Sequence, residues 1–365
     1  MWPADRQLRS AAAMMTIWTQ RFLKDYSMEG TPKIGLKSAC VIGGTGFMAS
    51  LLVKLLLEKG YTVNTTVRDP GNHKKISHLL SLHELGKLKI FQADLTDETS
   101  FDIPINGCDI VFHVATPTNF ASQDPENDMI NPAIQGVVNV LKACAKSKTV
   151  KSVVLTSSAA AVTINQLSGT GLVMDESNWT DVEFLTSTKP PTWGYPVSKT
   201  LAEKEAWKFA EENNIKLITI IPSLMAGPYF TPETPSSVDL AMSLIIGDEY
   251  LISNLKGMQM LSGSISITHV EDVCRAHIFV AEKESASGRY ICSAVNTSVI
   301  ELASFLKKRY PTLYVPNDFG EFPSKAKLII SSQKLIKEGF SFKYGIEEIY
   351  DQCVACFKDK GLLKI

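Results

Sequence analysis

Short apolar runs alternate with amphipathic segments along most of the chain. Residues 38–42 form an apolar run, and glycines separate it from a helix-spaced pattern over residues 47–58 that ends near Gly60. Further strand-like runs cover residues 61–67, 88–93, 109–115, 150–156 and 215–221, and helical patterns cover residues 131–146 and 194–212. Strands that alternate with helices predict a parallel sheet with helices on both faces.

The regular alternation stops after Pro222. Several prolines interrupt residues 222–235, so we expect loops there. Residues 264–270 then predict a strand that returns to the core, and residues 271–282 predict a helix. Short helical and strand-like patterns alternate over the remainder of the chain.

These patterns predict an α/β fold of the Rossmann type, a doubly wound parallel sheet with a smaller C-terminal lobe. We expect the core over residues 34–222, with return elements at about 264–290, and a substrate-binding lobe formed mainly by residues 223–365. The lobe is assigned to substrate because ligands bind beyond the carboxyl ends of parallel strands, where loops vary. Residues 1–33 match neither pattern and predict a flexible extension, with a signal or transit peptide as the alternative.

Composition narrows the class of protein. The chain has 365 residues, of which 45% are apolar and 21% charged, so it can bury a core and is neither disordered nor a coiled coil. A formal net charge of −1 argues against nucleic acid as a partner. Seven cysteines, an odd number, fit reduced thiols, and no apolar run reaches the ~18 residues of a membrane span. We therefore expect a cytoplasmic protein.

A glycine-rich turn lies between the first strand and the first helix. Gly43, Gly46 and Ala49 give a Gly-x-x-Gly-x-x-Ala spacing. Glycines let the backbone turn tightly and approach a pyrophosphate, and the helix N-terminus offers its N–H groups. The spacing predicts a dinucleotide site, with a turn that binds no ligand as the alternative. The expected contacts are Gly43, Thr45, Gly46, Phe47 and Met48.

The end of the second predicted strand indicates which dinucleotide binds. Arg68 stands about twenty residues further on, where NAD-binding chains usually carry an acidic residue. A guanidinium can bind a 2′-phosphate there, and Lys75 adds positive charge, so we expect NADPH or NADP⁺. In the alternative, Arg68 is solvated and Asp69 contacts the ribose. Asp94 and Leu95 are expected near the adenine, although Asp94 could equally cap the next turn.

A tyrosine and a lysine form the candidate proton-transfer group. Tyr195 and Lys199 are four residues apart in a predicted helix, so they share one face. A phenol with a pKa of about 10 transfers protons poorly near neutrality unless a cation stabilises its phenolate, which Lys199 can do. Ser158, at the end of the fifth strand, is expected to bond a substrate oxygen, with Ser157 as the alternative.

Other clusters of reactive side chains carry no predicted chemistry. Cys353 and Cys356 form a single Cys-x-x-Cys pair inside a helical pattern, which favours packed thiols. His73, His78 and His83 recur every five residues, so they share no helical face. No metal site is expected.

Seven motifs occur in an order that matches a known family. They are GGTGFMA, TVRDP, ADLTD, FHVATP, LTSSAAAVTI, YPVSK and IPSLMAGP. From about Ile34 onward the chain resembles the extended short-chain dehydrogenases/reductases, and within them the plant dihydroflavonol reductase group. The resemblance implies an NADP-dependent oxidoreductase in which Tyr195, Lys199 and Ser158 are catalytic. It further implies that Val114, Ala115, Thr116, Pro222 and Leu224 line the cofactor. Tyr195 and Lys199 are expected to contact it as well, Lys199 through the nicotinamide ribose.

Within that group the chain is most similar to the anthocyanidin reductases. Dihydroflavonol 4-reductases carry a substrate-binding Asn where Thr163 stands, and this chain is longer around residues 168–171. The resemblance implies NADPH-dependent reduction of anthocyanidins such as cyanidin to 2,3-cis-flavan-3-ols such as (−)-epicatechin, with Ser158, Thr163 and Tyr195 at the flavonoid. The alternatives are a dihydroflavonol or other carbonyl reductase, and a non-enzymatic NADP(H) sensor.

Overall fold

The computed structural model describes residues 37–120 and 122–363. The predicted extension over residues 1–33 lies outside the described residues. The strands are β1 (Ser38–Ile42), β2 (Thr62–Val67), β3 (Leu88–Gln92), β4 (Ile110–His113), β5 (Ser152–Thr156), β6 (Leu172–Met174), β7 (Leu217–Pro222), β8 (Leu224–Ala226), β9 (Ile265–His269), β10 (Gly288–Cys292), β11 (Val295–Thr297) and β12 (Leu328–Ile330).

The α-helices include the predicted helical segments and several more in the C-terminal part of the chain. They are α1 (Phe47–Glu58), α2 (His73–Leu80), α3 (Asp102–Ile105), α4 (Asn131–Lys146), α5 (Val182–Thr188), α6 (Gly194–Glu212), α7 (Ser236–Ile246), α8 (Glu249–Ser262), α9 (Val270–Glu282), α10 (Val299–Arg309), α11 (Gln333–Lys337) and α12 (Ile346–Asp359). Among the described residues, no helix has the length and apolar character that crossing a bilayer requires.

Seven parallel strands form the main sheet. Their order across it is β3-β2-β1-β4-β5-β7-β10. The chain steps outward from β1 to β3 and then returns to place β4 on the other side of β1. This reversal opens a crevice at the carboxyl ends of β1 and β4, where such sheets bind ligands. The predicted doubly wound, Rossmann-type sheet is confirmed.

Both faces of the main sheet are covered by apolar clusters. Val41 and Phe112 belong to one apolar cluster, with α1 and α9, whereas Cys40 and Val111 belong to a second, with α4 and α6. Successive side chains of a strand point to opposite faces, so each strand must be apolar at every position to be covered on both sides. This explains why the strand motifs read as continuous apolar runs.

The chain leaves the main sheet at Ser223 and enters a second sheet of three strands. The strand predicted near residues 264–270 exists as β9, but the expectation that it returns to the core sheet is wrong. It pairs parallel with β8 and antiparallel with β11. The free edge of β7 is taken by β10 instead, so β9 joins β8, the continuation of β7 beyond Ser223.

The second sheet and the C-terminal helices share their own apolar cluster. Ile265 and Ile267 of β9 are fully buried against α7, α8, α10 and α12. Cys353 and Cys356 lie in α12 as buried, unpaired thiols, which confirms the prediction that they are packing residues. The lobe therefore has a core separate from the two clusters of the parallel sheet.

Candidate active site

The turn after β1 has room only for glycine at two positions. Gly43 has a φ of 91°, and a Cβ there would lie 2.8 Å from the Cβ of Ala115. A Cβ on Gly44 would lie 2.2 Å from Oγ1 of Thr65. Two hydrogen bonds to Thr66 fix the turn. The Thr66 carbonyl accepts from the Gly44 N–H at 2.9 Å, and the Thr66 hydroxyl accepts from the Gly43 N–H at 3.1 Å. Sequence spacing did not single out Gly44.

The N-terminus of α1 is left open for an anion. Gly46 is the N-cap, no side chain caps it, and the first turn carries no acidic residue. The first N–H groups of a helix have no partner within the helix, so they can bind a phosphate. Thr45 and Phe47 are half-buried at this turn, whereas the Met48 side chain is in the core. Met48 can therefore reach a ligand only through its backbone.

Arg68 follows β2 directly and is exposed, as is Lys75 in the first turn of α2. The neighbouring Asp69 is engaged locally, because its Oδ1 accepts from the backbone N–H of Gly71 at 2.9 Å. This geometry leaves the guanidinium available to a ligand and ties the competing carboxylate into the loop.

Asp94 adopts the alternative role of a cap. Its Oδ1 accepts from the backbone and hydroxyl of Thr96 at 2.9 and 2.7 Å, and these hydrogen bonds hold the pKa of Asp94 below its usual range, with a smaller contribution from Arg68. Leu95 is half-buried and packs on α4, where a Cβ on Gly136 would lie 2.9 Å from its own. Asp94 stays exposed at this edge.

The end of β4 connects the glycine turn to α6. Val114, Ala115 and Thr116 are partly exposed, and Ala115 donates its N–H to the carbonyl of Ile42 at 3.0 Å. Lys199 donates from Nζ to Oγ1 of Thr116 at 2.9 Å. The structure therefore brings three of the predicted segments together at one edge of the sheet.

Pro222 and Leu224 flank the bend between β7 and β8. Ser223, between them, donates its N–H to the carbonyl of Cys292 at 3.2 Å and shares a hydroxyl hydrogen bond with Thr268 at 2.8 Å. Pro222 is buried and Leu224 is half-buried. The bend thus holds Leu224 where the two sheets diverge.

Tyr195 lies in the first turn of α6 beside Ser158. The phenol is half-buried, and burial raises its pKa, while a hydrogen bond with the Ser158 side chain acts in the opposite direction. The Ser158 hydroxyl also accepts from the N–H of Ala160 at 3.2 Å. The Phe120 ring packs against the Tyr195 ring, with 5.2 Å between ring centroids.

Ser157 faces away from this pair. It is buried, and its hydroxyl donates to Oε2 of Glu203 at 2.5 Å. Of the two serines that the sequence left open, the structure places Ser158 beside Tyr195.

Lys199 is buried at the end of β5. Only 7% of the residue is exposed, and Nζ donates to the carbonyl of Thr156 at 2.8 Å as well as to Thr116. Burial lowers the pKa of Lys199 to about 8, and the charge of Glu203 opposes the shift. The hydrogen bond at the Tyr195 phenol comes from Ser158, whereas the Lys199 ammonium is bound to Thr116 and Thr156.

Gly194 is a site residue that sequence reasoning missed. A Cβ there would lie 2.4 Å from the Cβ of Pro125 and 2.9 Å from Cε of Met129. Pro125 and Met129 belong to a wide helical turn that leads into α4. Only glycine therefore lets the start of α6, and with it Tyr195, approach this turn. The glycine directly before the tyrosine was the available signal.

Thr163 is a buried residue of the loop after β5. It is 4% exposed, and its hydroxyl donates to the carbonyl of Ala159 at 3.1 Å. That hydrogen bond lies within the loop after β5, and the contact between Thr163 and a flavonoid stays a prediction.

Comparisons with known proteins identify the family of this chain. The profile of the NAD dependent epimerase/dehydratase family matches residues 39–293. Anthocyanidin reductase ((2S)-flavan-3-ol-forming) of Vitis vinifera is 77% identical over 331 residues, which cover 91% of this chain and 98% of the relative.

Two solved reductases have the same fold. Vestitone reductase from alfalfa superposes with a TM-score of 0.76 at 37% identity, over 89% of this chain and 99% of that one. The yeast methylglyoxal/isovaleraldehyde reductase Gre2, complexed with NADPH, gives 0.75 at 25% identity, over 89% and 100%. The chain therefore belongs to the NAD dependent epimerase/dehydratase family and, within it, to the anthocyanidin reductases.

Proposed function

We propose that this protein reduces anthocyanidins with NADPH, for example cyanidin to the 2,3-cis-flavan-3-ol (−)-epicatechin. The proposal is carried by two contacts, Tyr195 with Ser158 and Lys199 with Thr116, in a chain 77% identical to an anthocyanidin reductase. Thr116 directly follows Ala115, which packs against Gly43 of the glycine turn. Residues 34–222 would hold most of the cofactor, and residues 223–365 would supply most of the flavonoid site.

The residues present fit a phosphorylated dinucleotide. Gly43 and Gly44 leave a cradle that a Cβ would fill, and the N-terminus of α1 has no side-chain cap. Arg68 and Lys75 are exposed where the 2′-phosphate of NADPH would add charge, and yeast Gre2 was solved with NADPH. When bound, NADPH supplies hydride to the flavonoid.

Proton transfer falls to Tyr195. Converting a flavylium cation to a flavan-3-ol takes two hydrides and one proton, so the site must deliver a proton as well as exclude water. Burial keeps the phenol protonated until it is needed, and Ser158 orients it. Lys199, with a pKa of about 8, carries most of its charge at neutral pH and can stabilise the phenolate that forms.

The cellular location is a further part of the proposal. All seven cysteines are buried and unpaired. Thiols in that state suit a reducing compartment, so we propose the cytoplasm.

Purified protein incubated with NADPH and either cyanidin or dihydroquercetin tests the proposal. We expect NADPH oxidation and loss of colour with cyanidin, and a flavan-3-ol as product. Chiral chromatography must resolve carbon 2, because the Vitis relative is named for (2S) products, whereas (−)-epicatechin is 2R. Reduction of dihydroquercetin alone would favour a carbonyl reductase, and NADPH binding without turnover of either compound would favour a sensor.

A further inference from the structure

A buried carboxylate lies one turn beyond Lys199 on α6. Glu203 is four residues further along the helix and 1% exposed. Acidic side chains are almost never buried so completely unless they are paired. The proton-transfer scheme above gives this group no role.

Glu203 is held by a buried arginine from the far edge of the sheet. Arg289 of β10 is 8% exposed and donates from Nε to Oε1 of Glu203 at 2.7 Å. Its Nη1 donates to the carbonyls of Glu176 and Asn178 at 2.6 and 2.8 Å, and the guanidinium stacks 3.6 Å from the ring of Trp179. Hydrogen bonds and stacking on Trp179 therefore hold the Arg289 guanidinium in one position.

The second carboxylate oxygen reaches the catalytic loop. Oε2 of Glu203 accepts from the hydroxyl of Ser157 at 2.5 Å, and Ser157 precedes Ser158 directly. Glu203 thereby joins the helix that carries Tyr195 to the strand end that carries its hydrogen-bond partner. A shift of this carboxylate would move both sides of the Tyr195–Ser158 contact.

A small cavity is lined by both Glu203 and Lys199. It has a volume of about 20 Å³, and its lining includes His113, Thr116 and Ser157 together with both charged groups. The titratable groups that the structure places against Lys199 are Glu203 on α6 and His113 on β4. Burial lowers the pKa of His113 to about 3, so this ring stays neutral and Glu203 is the negative charge at the site.

The geometry points to Glu203, clamped by Arg289, as a positioning residue for the proton-transfer group: it fixes the strand end that carries Ser158 and supplies the negative charge that faces Lys199. The inference rests on the proposed function only in assigning proton transfer to Tyr195 and Lys199, and it holds for whichever flavonoid is reduced. The Glu203 charge also opposes the burial that lowers the pKa of Lys199.

The variant Glu203→Gln tests this role, because the amide oxygen can still accept from Ser157 while the charge is lost. We expect kcat to fall by about tenfold or more, since a misplaced proton donor loses rate steeply. Without the opposing charge, the Lys199 pKa falls further, so the alkaline limb of kcat/KM should move down by about half a pH unit or more. Glu205→Gln, on the exposed side of the same helix, is the matched control.

Loss of one partner of a buried ion pair can unfold a protein, so a second variant separates folding from positioning. Glu203→Met with Arg289→Met removes both charges, and such replacements are often neutral or stabilising. We expect this double variant to regain the wild-type melting temperature but to keep the low kcat and the shifted profile. Recovery of kcat and of the profile together with stability would overturn the proposal.

A readout without turnover keeps the inference separate from the proposed function. The pH dependence of Lys199 labelling by acetic anhydride, followed by mass spectrometry, reports its titration directly. We expect the midpoint to be lower in Glu203→Gln than in wild type and Glu205→Gln. An unchanged midpoint would overturn the proposal, whereas a wild type that leaves cyanidin unreduced would contradict only the proposed function.

Discussion

The two sides of the cleft are assembled in different ways. The side that we propose for the cofactor consists of turns that directly follow β1, β2 and β4, so each of these residues lies within a few positions of the strand that places it. The proton-transfer side joins the end of β5, the start of α6 and the loop near Phe120, which meet only in the folded chain. The first side is a local property of the sequence, whereas the second depends on long-range contacts.

Replacing Tyr195 by Phe should have the largest effect, and it separates the two sides completely. We expect turnover of cyanidin to fall by at least ~100-fold, because the general acid is removed. NADPH affinity should stay within about twofold, since the turns after β1 and β2 are unaffected. The measurements are kcat and a fluorescence titration with NADPH. Unchanged turnover would move the proton donor to another residue.

Substitution of Arg68 by Ala should instead weaken the binding of NADPH. Loss of a charge-assisted hydrogen bond costs about 1.5–3 kcal/mol, so NADPH should bind about 10- to 150-fold more weakly. NADH lacks the 2′-phosphate and should be affected by less than about twofold. Competition titrations with both cofactors provide the comparison, and an equal loss for both would show that Arg68 does not read that phosphate.

The pH dependence sharpens the description of the proton-transfer side. Burial lowers the pKa of Lys199 to about 8, so the ammonium loses its proton as the pH rises through that value. We expect kcat/KM to fall about tenfold per pH unit above it, because the charged form is the active one. Lys199→Arg keeps a positive charge in this range and should remove the limb. The same limb in both proteins would assign it to another group.

The glycine turn can be tested by its effect on stability. Gly43 and Gly60 both have positive φ, at 91° and 83°, but only at Gly43 would a Cβ meet a neighbour, Ala115. Gly60→Ala should cost about 1–2 kcal/mol from backbone strain alone, and Gly43→Ala about 1–3 kcal/mol more from overpacking. Thermal unfolding of both variants measures the difference. Equal losses would mean that the turn does not pack against the end of β4.

Phe120 should give the smallest effect, confined to the flavonoid side. Its ring is 48% exposed and lies against Tyr195, where a flat substrate would extend the contact. An aromatic contact is worth about 0.5–1.5 kcal/mol, so Phe120→Ala should raise KM for cyanidin by about 2- to 10-fold. The KM for NADPH is the internal control, and a rise in that value instead would place the ring on the cofactor side.

The elements predicted best are those whose signals are local. The helix over residues 194–212 begins and ends where its pattern indicated, and β1 occupies residues 38–42 as expected. The strand at residues 265–269 was also found, but its partner was not, because pairing depends on which strand edge is free. β10 had taken that edge, and no pattern within β9 records this.

Long-range contacts also limited the prediction of the site. Spacing placed Tyr195 and Lys199 on one helical face. The hydrogen bonds of Lys199, however, go to Thr116 and Thr156, which are far away in sequence. Glu203 and Arg289 are 86 positions apart, and each alone reads as an ordinary surface charge. Such pairs become visible only when the sheet brings β5, β10 and α6 together.

A crystal structure of the protein with NADP⁺ and (−)-epicatechin tests the central claim most directly. We expect the pyrophosphate at the turn of Gly43 and Gly46, and the Tyr195 hydroxyl within hydrogen-bond distance of the flavonoid, about 2.6–3.2 Å. A flavonoid bound out of reach of Tyr195, or a cofactor bound away from the glycine turn, would contradict the proposed chemistry.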